Sequence, residues 1–369
     1  MVAEFGFDDS VENHPGCPAA KGGHVSLQFL LSLDYELFFG RTTGTVERCL
    51  IQPTEEAARV ARRHGAYLSL FVDALYLQRL SEEAPRFPRL QHDLDAIRRQ
   101  LIRLKAEGHD IQLHLHPHWL DSHYDGEQWR LDTRRYKLHD FTASEIDAMV
   151  GSAKSLLTNL AGDAVFAFRA GGWCLQPFAH IAPALLAHDI WLDSTVFAGG
   201  VSDDLERWFD FTSAPVADFW RFNENPTTVE NQGSFLEIPI SAMRVSPLLF
   251  WKMGLARKIL TKAEHQPFGD GASLAWGRGY YFKRLTQSTI SVASVDGLKA
   301  GYLGRALRAE KACGKQLFHA MGHPKALSRY SLACLEAFLK KFDAYTGVTF
   351  QAYRHLRPAT GSFSAAYTA

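Results

Sequence analysis

Three histidines stand at alternate positions in Gln112-Leu113-His114-Leu115-His116-Pro117-His118, and two carboxylates stand two apart in Leu33-Asp34-Tyr35-Glu36. Side chains of a strand alternate between faces, so Asp34 and Glu36 share one face, and His114 and His116 share one. Pro117 cannot extend the ladder, so the chain after His114 can curl until His118 reaches the same ion as His114. Two neutral imidazoles, one carboxylate and an open position for water make the donor set of a hydrolytic zinc site. A lone histidine beside a strand is usually a surface or core residue. Three at alternate positions, with His109 and His123 close by, form a cluster.

Other apolar runs also end in groups able to do chemistry: Phe71-Val72-Asp73, Phe168-Arg169-Ala170-Gly171-Gly172-Trp173, Trp191-Leu192-Asp193-Ser194 and His319-Ala320-Met321-Gly322-His323-Pro324. Each has a plainer reading. Asp73 can cap the helix that follows it. Arg169 can be an arginine paired on the surface, although the two glycines after it suggest a backbone that approaches something closely. Trp191 and Asp193 can serve packing and capping, and His323 before Pro324 can mark a turn.

The elements that must position these residues alternate between short β-rich runs and longer helical patterns, the rhythm of a parallel sheet built from βα units. Strands are expected at Val25 to Leu33, Ala66 to Val72, Asp110 to Leu115, Val165 to Phe168, Ile190 to Leu192, Gln316 to Ala320 and Val348 to Ala352. Helices are expected at Pro53 to His64, Leu94 to Glu107, Thr142 to Leu160 with Thr142 and Glu145 as a capping box, Pro177 to Ala187, Gly297 to Ala312 and Ser328 to Tyr345. From about 197 to 295 the pattern loosens, with a possible strand at Phe235 to Ile240 and a basic, apolar helix near Leu248 to Glu264. The expectation is one α/β domain over 24–355, a closed or nearly closed (β/α) barrel with a large late insertion, a leader at 1–23 and a tail at 356–369. In such a barrel the carboxyl ends of the strands build the active site, which is where the histidines and carboxylates fall.

Composition excludes several classes. The 369 residues carry 40 basic and 40 acidic side chains, so no general charge excess points to nucleic acid. At 46% hydrophobic the chain has ample material for a core. No apolar run is long enough to span a membrane. The first residues include Glu4, Asp8, Asp9 and Glu12 where a signal peptide needs basic and then apolar residues, which predicts a cytoplasmic protein. Five scattered cysteines without zinc or redox spacing are expected to be reduced thiols.

Taken in order, these segments resemble the polysaccharide deacetylase or chitooligosaccharide deacetylase family, carbohydrate esterase family four, in a branch similar to deacetylases of O-antigen or other surface-polysaccharide biosynthesis. Ser32-Leu33-Asp34-Tyr35-Glu36 stands at its first motif, Gly108 to His114 with His118 at the second, and Phe168-Arg169-Ala170-Gly171-Gly172-Trp173 at the third. Trp191-Leu192-Asp193-Ser194 stands at the fourth and Ala320-Met321-Gly322-His323 at the fifth. The resemblance implies a distorted barrel, often of seven strands, and a divalent metal, zinc first among candidates, held by two histidines and a carboxylate. It implies hydrolysis of an N-acetyl or N-formyl group from a sugar.

By the same resemblance Asp34 is the general base, Glu36, His114 and His118 are the ligands, His323 is the general acid, Arg169 orients Asp34, and Asp193 orients His323 or Arg169. His116 can stand in for His118, and Asp73 for Glu36. The family pattern has Pro-Tyr where this chain has Gly171 and Gly172, which leaves one wall of the groove undefined. Trp173 and Trp191 are expected substrate contacts. Trp208, Trp220, Trp251 and Trp276 are candidates to stack on sugar faces or to form the insertion's core. The expected substrate is a sugar nucleotide or lipid-linked saccharide. Two rival classes are a metal-dependent cyclic-amide amidohydrolase, which places its His-x-His on the first strand, and a non-catalytic sugar-binding or assembly protein with a vestigial site.

Overall fold

The apolar stretch Leu27–Tyr35 (β1) is buried almost throughout, as a strand covered on both faces must be. In the computed structural model, which describes residues 27–358 apart from 163, 205–206, 260–261, 275–276 and 343, β1 belongs to a nine-stranded sheet and pairs with three of its strands. The others are Leu68–Asp73 (β2), Asp110–Leu115 (β3), Ala167–Ala170 (β4), Leu192–Asp193 (β5), Trp220–Phe222 (β6), Phe235–Glu237 (β7), Leu317–Gly322 (β8) and Tyr345–Val348 (β9). They lie in the order β6-β7-β5-β4-β3-β2-β1-β8, with β9 beside the first half of β1. From β7 round to β8, seven strands run parallel in succession. The sheet curls: a hydrogen bond from Ser241 N, just after β7, to His319 O (3.0 Å) brings β8 toward the far side, and one from Val295 N to Met321 O (2.9 Å) ties the segment after Thr289–Val292 to β8. This is the distorted (β/α) barrel expected from the sequence.

Helices cover the outer face. The Thr142–Glu145 capping box starts Ala143–Ala161, Pro88 opens Pro88–Ala106, and Gly108, at φ +91°, turns the chain from that helix into β3. Pro177 to Ala187 resolves into two short pieces, Phe178–His180 and Ala182–Ala187, and the last strand is Tyr345–Val348, ahead of the expected Val348 to Ala352, most of which falls in the short helix Phe350–Leu356. The stretch from 197 to 295 is only partly outside the barrel, because it contributes β6 and β7. A strand of three residues is too short for a period of two to show against aromatic neighbours. What stands apart is bracketed by the antiparallel pair Ala242–Val245 and Thr289–Val292 and contains helices Pro247–Ile259 and Arg278–Thr286.

The expected leader, most of the tail and Trp276 lie outside the described residues. Among the described cysteines, Cys49, Cys174 and Cys334 are free, whereas Cys313 is disulfide-bonded, which corrects the expectation of five reduced thiols. Pairing follows from proximity in the fold, which spacing along the chain does not reveal. No helix of the described residues is long and apolar enough to cross a membrane.

Candidate active site

Strand register brings the chemistry to one level. Asp73 stands opposite His114 and His114 opposite Arg169, while Asp34 is opposite Phe71 on the next strand. These groups lie at the carboxyl ends of β1 to β4, beneath a cleft of about 340 Å³ lined by Asp34, Glu36, His114, His116, Trp173 and His323, among others.

Glu36 Oε2 lies 3.2 Å from His114 Nε2 and 2.6 Å from His116 Nε2. All three residues are buried, and their donor atoms lie within 4.8 Å of one another. The His114 Nδ1–H donates to the Arg169 carbonyl at 2.8 Å, so a neutral His114 turns a bare lone pair toward a carboxylate oxygen. Two electron-rich atoms facing each other in this way require a proton or a metal ion between them. The other oxygen of Glu36 accepts from Lys325 Nζ at 2.8 Å. Burial works against ionising Glu36, but Lys325 and the two imidazoles outweigh it and hold the carboxyl well below its ordinary range.

His118 is not part of this cluster. Pro117 does end the strand, but the turn it opens, Pro117–Leu120, carries the His118 ring between Trp119 and Tyr136, at centroid distances of 5.4 and 5.7 Å. Neither of its ring nitrogens has a hydrogen-bond partner, and burial, with His116 nearby, pushes its pKa well down. The simple alternation of the strand therefore decides which second imidazole faces Glu36. Asp73 is engaged elsewhere: it accepts from Trp119 Nε1 at 2.7 Å and from the Tyr76 amide at 3.4 Å as the cap of Ala74–Glu83.

Arg169 is fully buried. Its Nη1 meets Asp34 Oδ1 at 2.6 Å, its Nε donates to Ser194 O at 2.7 Å, its Nη2 donates to Ser32 Oγ at 2.9 Å, and its guanidinium lies 4.1 Å from the Phe71 ring centroid. Below it, burial and the Arg169 charge keep His319 neutral. The His319 Nδ1–H donates to Pro239 O at 3.1 Å, so Nε2 accepts from Ser32 Oγ at 2.8 Å. This chain of directed bonds fixes the guanidinium, and the guanidinium fixes Asp34.

Asp193 touches neither His323 nor the cleft lining. It holds Thr195 through that residue's amide (3.0 Å) and hydroxyl (2.8 Å) and sits beside Glu237 in a buried carboxyl pair behind Arg169. Burial, and then Asp193, push Glu237 well above its ordinary value, so it carries the pair's proton. A raised carboxyl stabilises the fold below its unfolded pKa near 4.5 and loses that contribution as pH climbs toward the folded value. Glu237→Gln is therefore expected to flatten the loss of stability between weakly acidic and neutral pH, measured as melting temperature against pH. A variant that tracks the wild type over that range would count against the shared proton.

His323 has a partner that sequence reading did not single out. Asp296, at the end of the segment after Thr289–Val292, accepts from His323 Nδ1 at 2.8 Å and from its backbone amide at 2.8 Å. The Nε2 of His323 points between Asp34 Oδ2 (3.8 Å) and Glu36 Oε1 (3.7 Å). Burial lowers the pKa of His323, but Asp296 and then the two site carboxylates more than compensate and raise it. Lys325 was equally unforeseen. The only trace of either in the chain is an ionisable residue just after an apolar run, Val292-Ala293-Ser294-Val295-Asp296 for the first and the His323-Pro324 corner for the second.

Trp173 lines the cleft, with Phe197 and Phe209 against it at 5.5 and 5.9 Å. Trp191 does not; it stacks on Phe166 (4.8 Å, 8°) in a separate core cluster. Trp220 is buried, whereas Trp208 and Trp251 are exposed. The two glycines after Arg169 have separate duties. A Cβ on Gly171 would come 2.6 Å from the His116 ring, and one on Gly172, at φ +61°, 2.8 Å from Tyr136 Oη. Gly171→Ala is expected to displace His116 and weaken metal binding by about 10- to 100-fold, the usual cost of disturbing a ligand's support. Unchanged affinity in a metal titration would show that the ring is free to yield.

No family model and no curated protein matches the chain. Among solved structures, it is similar to a protein of Mycobacterium smegmatis assigned as a polysaccharide deacetylase, with TM-score 0.50 and 14% identity over 94% of this chain and 95% of that one. A peptidoglycan deacetylase from Bacillus subtilis overlaps 90% of this chain and 91% of its own at 11% identity, with TM-score 0.31. At such identities the first likeness speaks to the fold, and it is the fold the sequence resemblance predicts.

Proposed function

We propose that this chain is a metal-dependent amide hydrolase of the carbohydrate esterase family four kind, removing an acetyl or formyl group from the nitrogen of a sugar. The observation that carries the proposal is the convergence, on one cleft, of a Glu-His-His donor set, a carboxylate pinned by a buried arginine, and an imidazole pinned by a second carboxylate. Glu36 Oε2 and the Nε2 atoms of His114 and His116 would hold a divalent ion, zinc being the first choice for two imidazoles and one carboxylate. The facing lone pairs of His114 and Glu36 and the outer partner on His114 Nδ1 suit such an ion. Bound there, it would lower the pKa of a water toward about 7 and polarise the acyl carbonyl.

The remaining work falls to the chain's own groups. Arg169 occupies Asp34 Oδ1 and leaves Oδ2 free on the cleft side to take the proton of the attacking water. Asp296 fixes the His323 ring at Nδ1 and favours its charged form, so that Nε2–H is available to the departing amine. Trp173 offers an apolar wall for a sugar face.

The substrate is proposed to be a precursor of a surface polysaccharide such as O-antigen, carried on a nucleotide or a lipid phosphate. Arg207, Arg284 and Lys299 in the cleft lining favour a phosphate-bearing sugar. The test is release of acetate or formate from N-acetyl and N-formyl sugar nucleotides and glycosyl phosphates by protein loaded with zinc, cobalt or nickel. Metal-loaded protein that cleaves neither acyl series would overturn the reading.

A further inference from the structure

Two helices on the rim of the cleft, Pro247–Ile259 and Arg278–Thr286, pack against each other, with Trp251 Nε1 donating to Leu285 O at 3.1 Å. On the first, Leu249, Phe250 and Met253 turn inward onto the core. Leu248, Trp251, Leu255 and Ile259, spaced as one stripe of a helix, are 62%, 59%, 59% and 70% exposed. On the second, Tyr281 and Phe282 are 52% and 68% exposed. The outer apolar stripe of this helix is left uncovered by its own chain. Large exposed apolar patches mark interaction sites.

Charge narrows the partner. Both helices carry basic residues and no Asp or Glu, Lys252, Lys283 and Arg284 among them. Two copies of such a face would repel each other, whereas an anionic lipid surface attracts the cations and accepts tryptophan and phenylalanine at its interface. We propose that this helical pair docks the protein on an anionic membrane surface. Arg284, one residue pair beyond the exposed Tyr281 and Phe282, stacks 4.3 Å over Tyr280 and lines the cleft, so docking face and cleft mouth share a wall. Docked in this way, the cleft faces a saccharide held at the membrane through a lipid phosphate; that last step rests on the hydrolase reading, and the docking does not.

The test is flotation of the full chain, without metal or substrate, with vesicles of phosphatidylglycerol and phosphatidylcholine and with vesicles of phosphatidylcholine alone. Binding is expected to the anionic vesicles, to weaken in high salt, and to fall about tenfold or more in the double variant Trp251→Ser, Phe282→Ser, whose positions are exposed and outside the catalytic groups. Light scattering on the same proteins reports self-association. Wild-type protein that stays unbound, a double variant that binds as well as wild type, or a concentration-dependent dimer abolished by the double variant would each overturn the proposal. Because no hydrolysis is read, failure here leaves the hydrolase reading standing, and the reverse also holds.

Discussion

His116→Ala is expected to lose bound divalent metal as completely as His114→Ala, while His118→Ala keeps it. The distinction rests on geometry: the Nε2 atoms of His114 and His116 both face Glu36 Oε2, and His118 is held between two aromatic rings without reaching that carboxylate. Loss of the ion removes several kcal/mol of transition-state stabilisation, or about a thousandfold and more in rate. Plasma mass spectrometry on protein purified without a polyhistidine tag reads the metal directly, and hydrolysis of the acyl sugar reads the rate. His118→Ala opens a hole among buried aromatics, so its melting temperature is expected to fall while metal content holds. Metal lost from His118→Ala and kept by His116→Ala would require the turn after Pro117 to fold back toward Glu36.

Asp34→Asn is expected to retain metal and lose about 10²- to 10⁴-fold in hydrolysis, the usual weight of a general base. Asparagine keeps an oxygen for Arg169 Nη1 and cannot accept the water's proton, so the variant separates the base from the scaffold around it. The substitution leaves a fully buried guanidinium short of one negative partner, and a lower melting temperature should accompany the lost activity. Assays well below that temperature keep the two effects apart. Full activity in Asp34→Asn would move the base elsewhere. A wild-type protein that binds metal and sugar but hydrolyses nothing would favour the non-catalytic reading, in which Asp34 serves only to neutralise Arg169.

Local periodicity made much of this legible in the chain itself. An apolar run ending in Asp34 and Glu36, and another ending in His114 and His116, state both the strand and the shared face, because alternation depends only on neighbours two residues apart. Thr142 with Glu145, and Gly108 as a helix stop, act over three or four residues or at a single backbone position, and those helix ends are found where expected, whereas the helix before Gly108 begins at Pro88 and not at Leu94. The amphipathic rhythm of strand and helix likewise implied the barrel and the end of it where the polar groups gather.

What the chain alone left open are the pairings between residues far apart in sequence. Glu36 meets Lys325 across 289 positions, whereas the contact of Asp34 with Arg169 across 135 was expected from the family resemblance alone, since no local spacing implies it. The choice between His116 and His118 needed the direction of the turn after Pro117, which is set by packing against Phe39, Trp119 and Tyr136. Asp296 as the partner of His323, Asp193 as the partner of Glu237, and the bonded state of Cys313 are of the same kind. Sequence by itself determined which residue types stand at the strand ends and on which face, since covalent geometry fixes that locally. Tertiary structure decided which of them touch, since contact in a curled sheet depends on register and closure, and those are settled by the packing of the whole barrel.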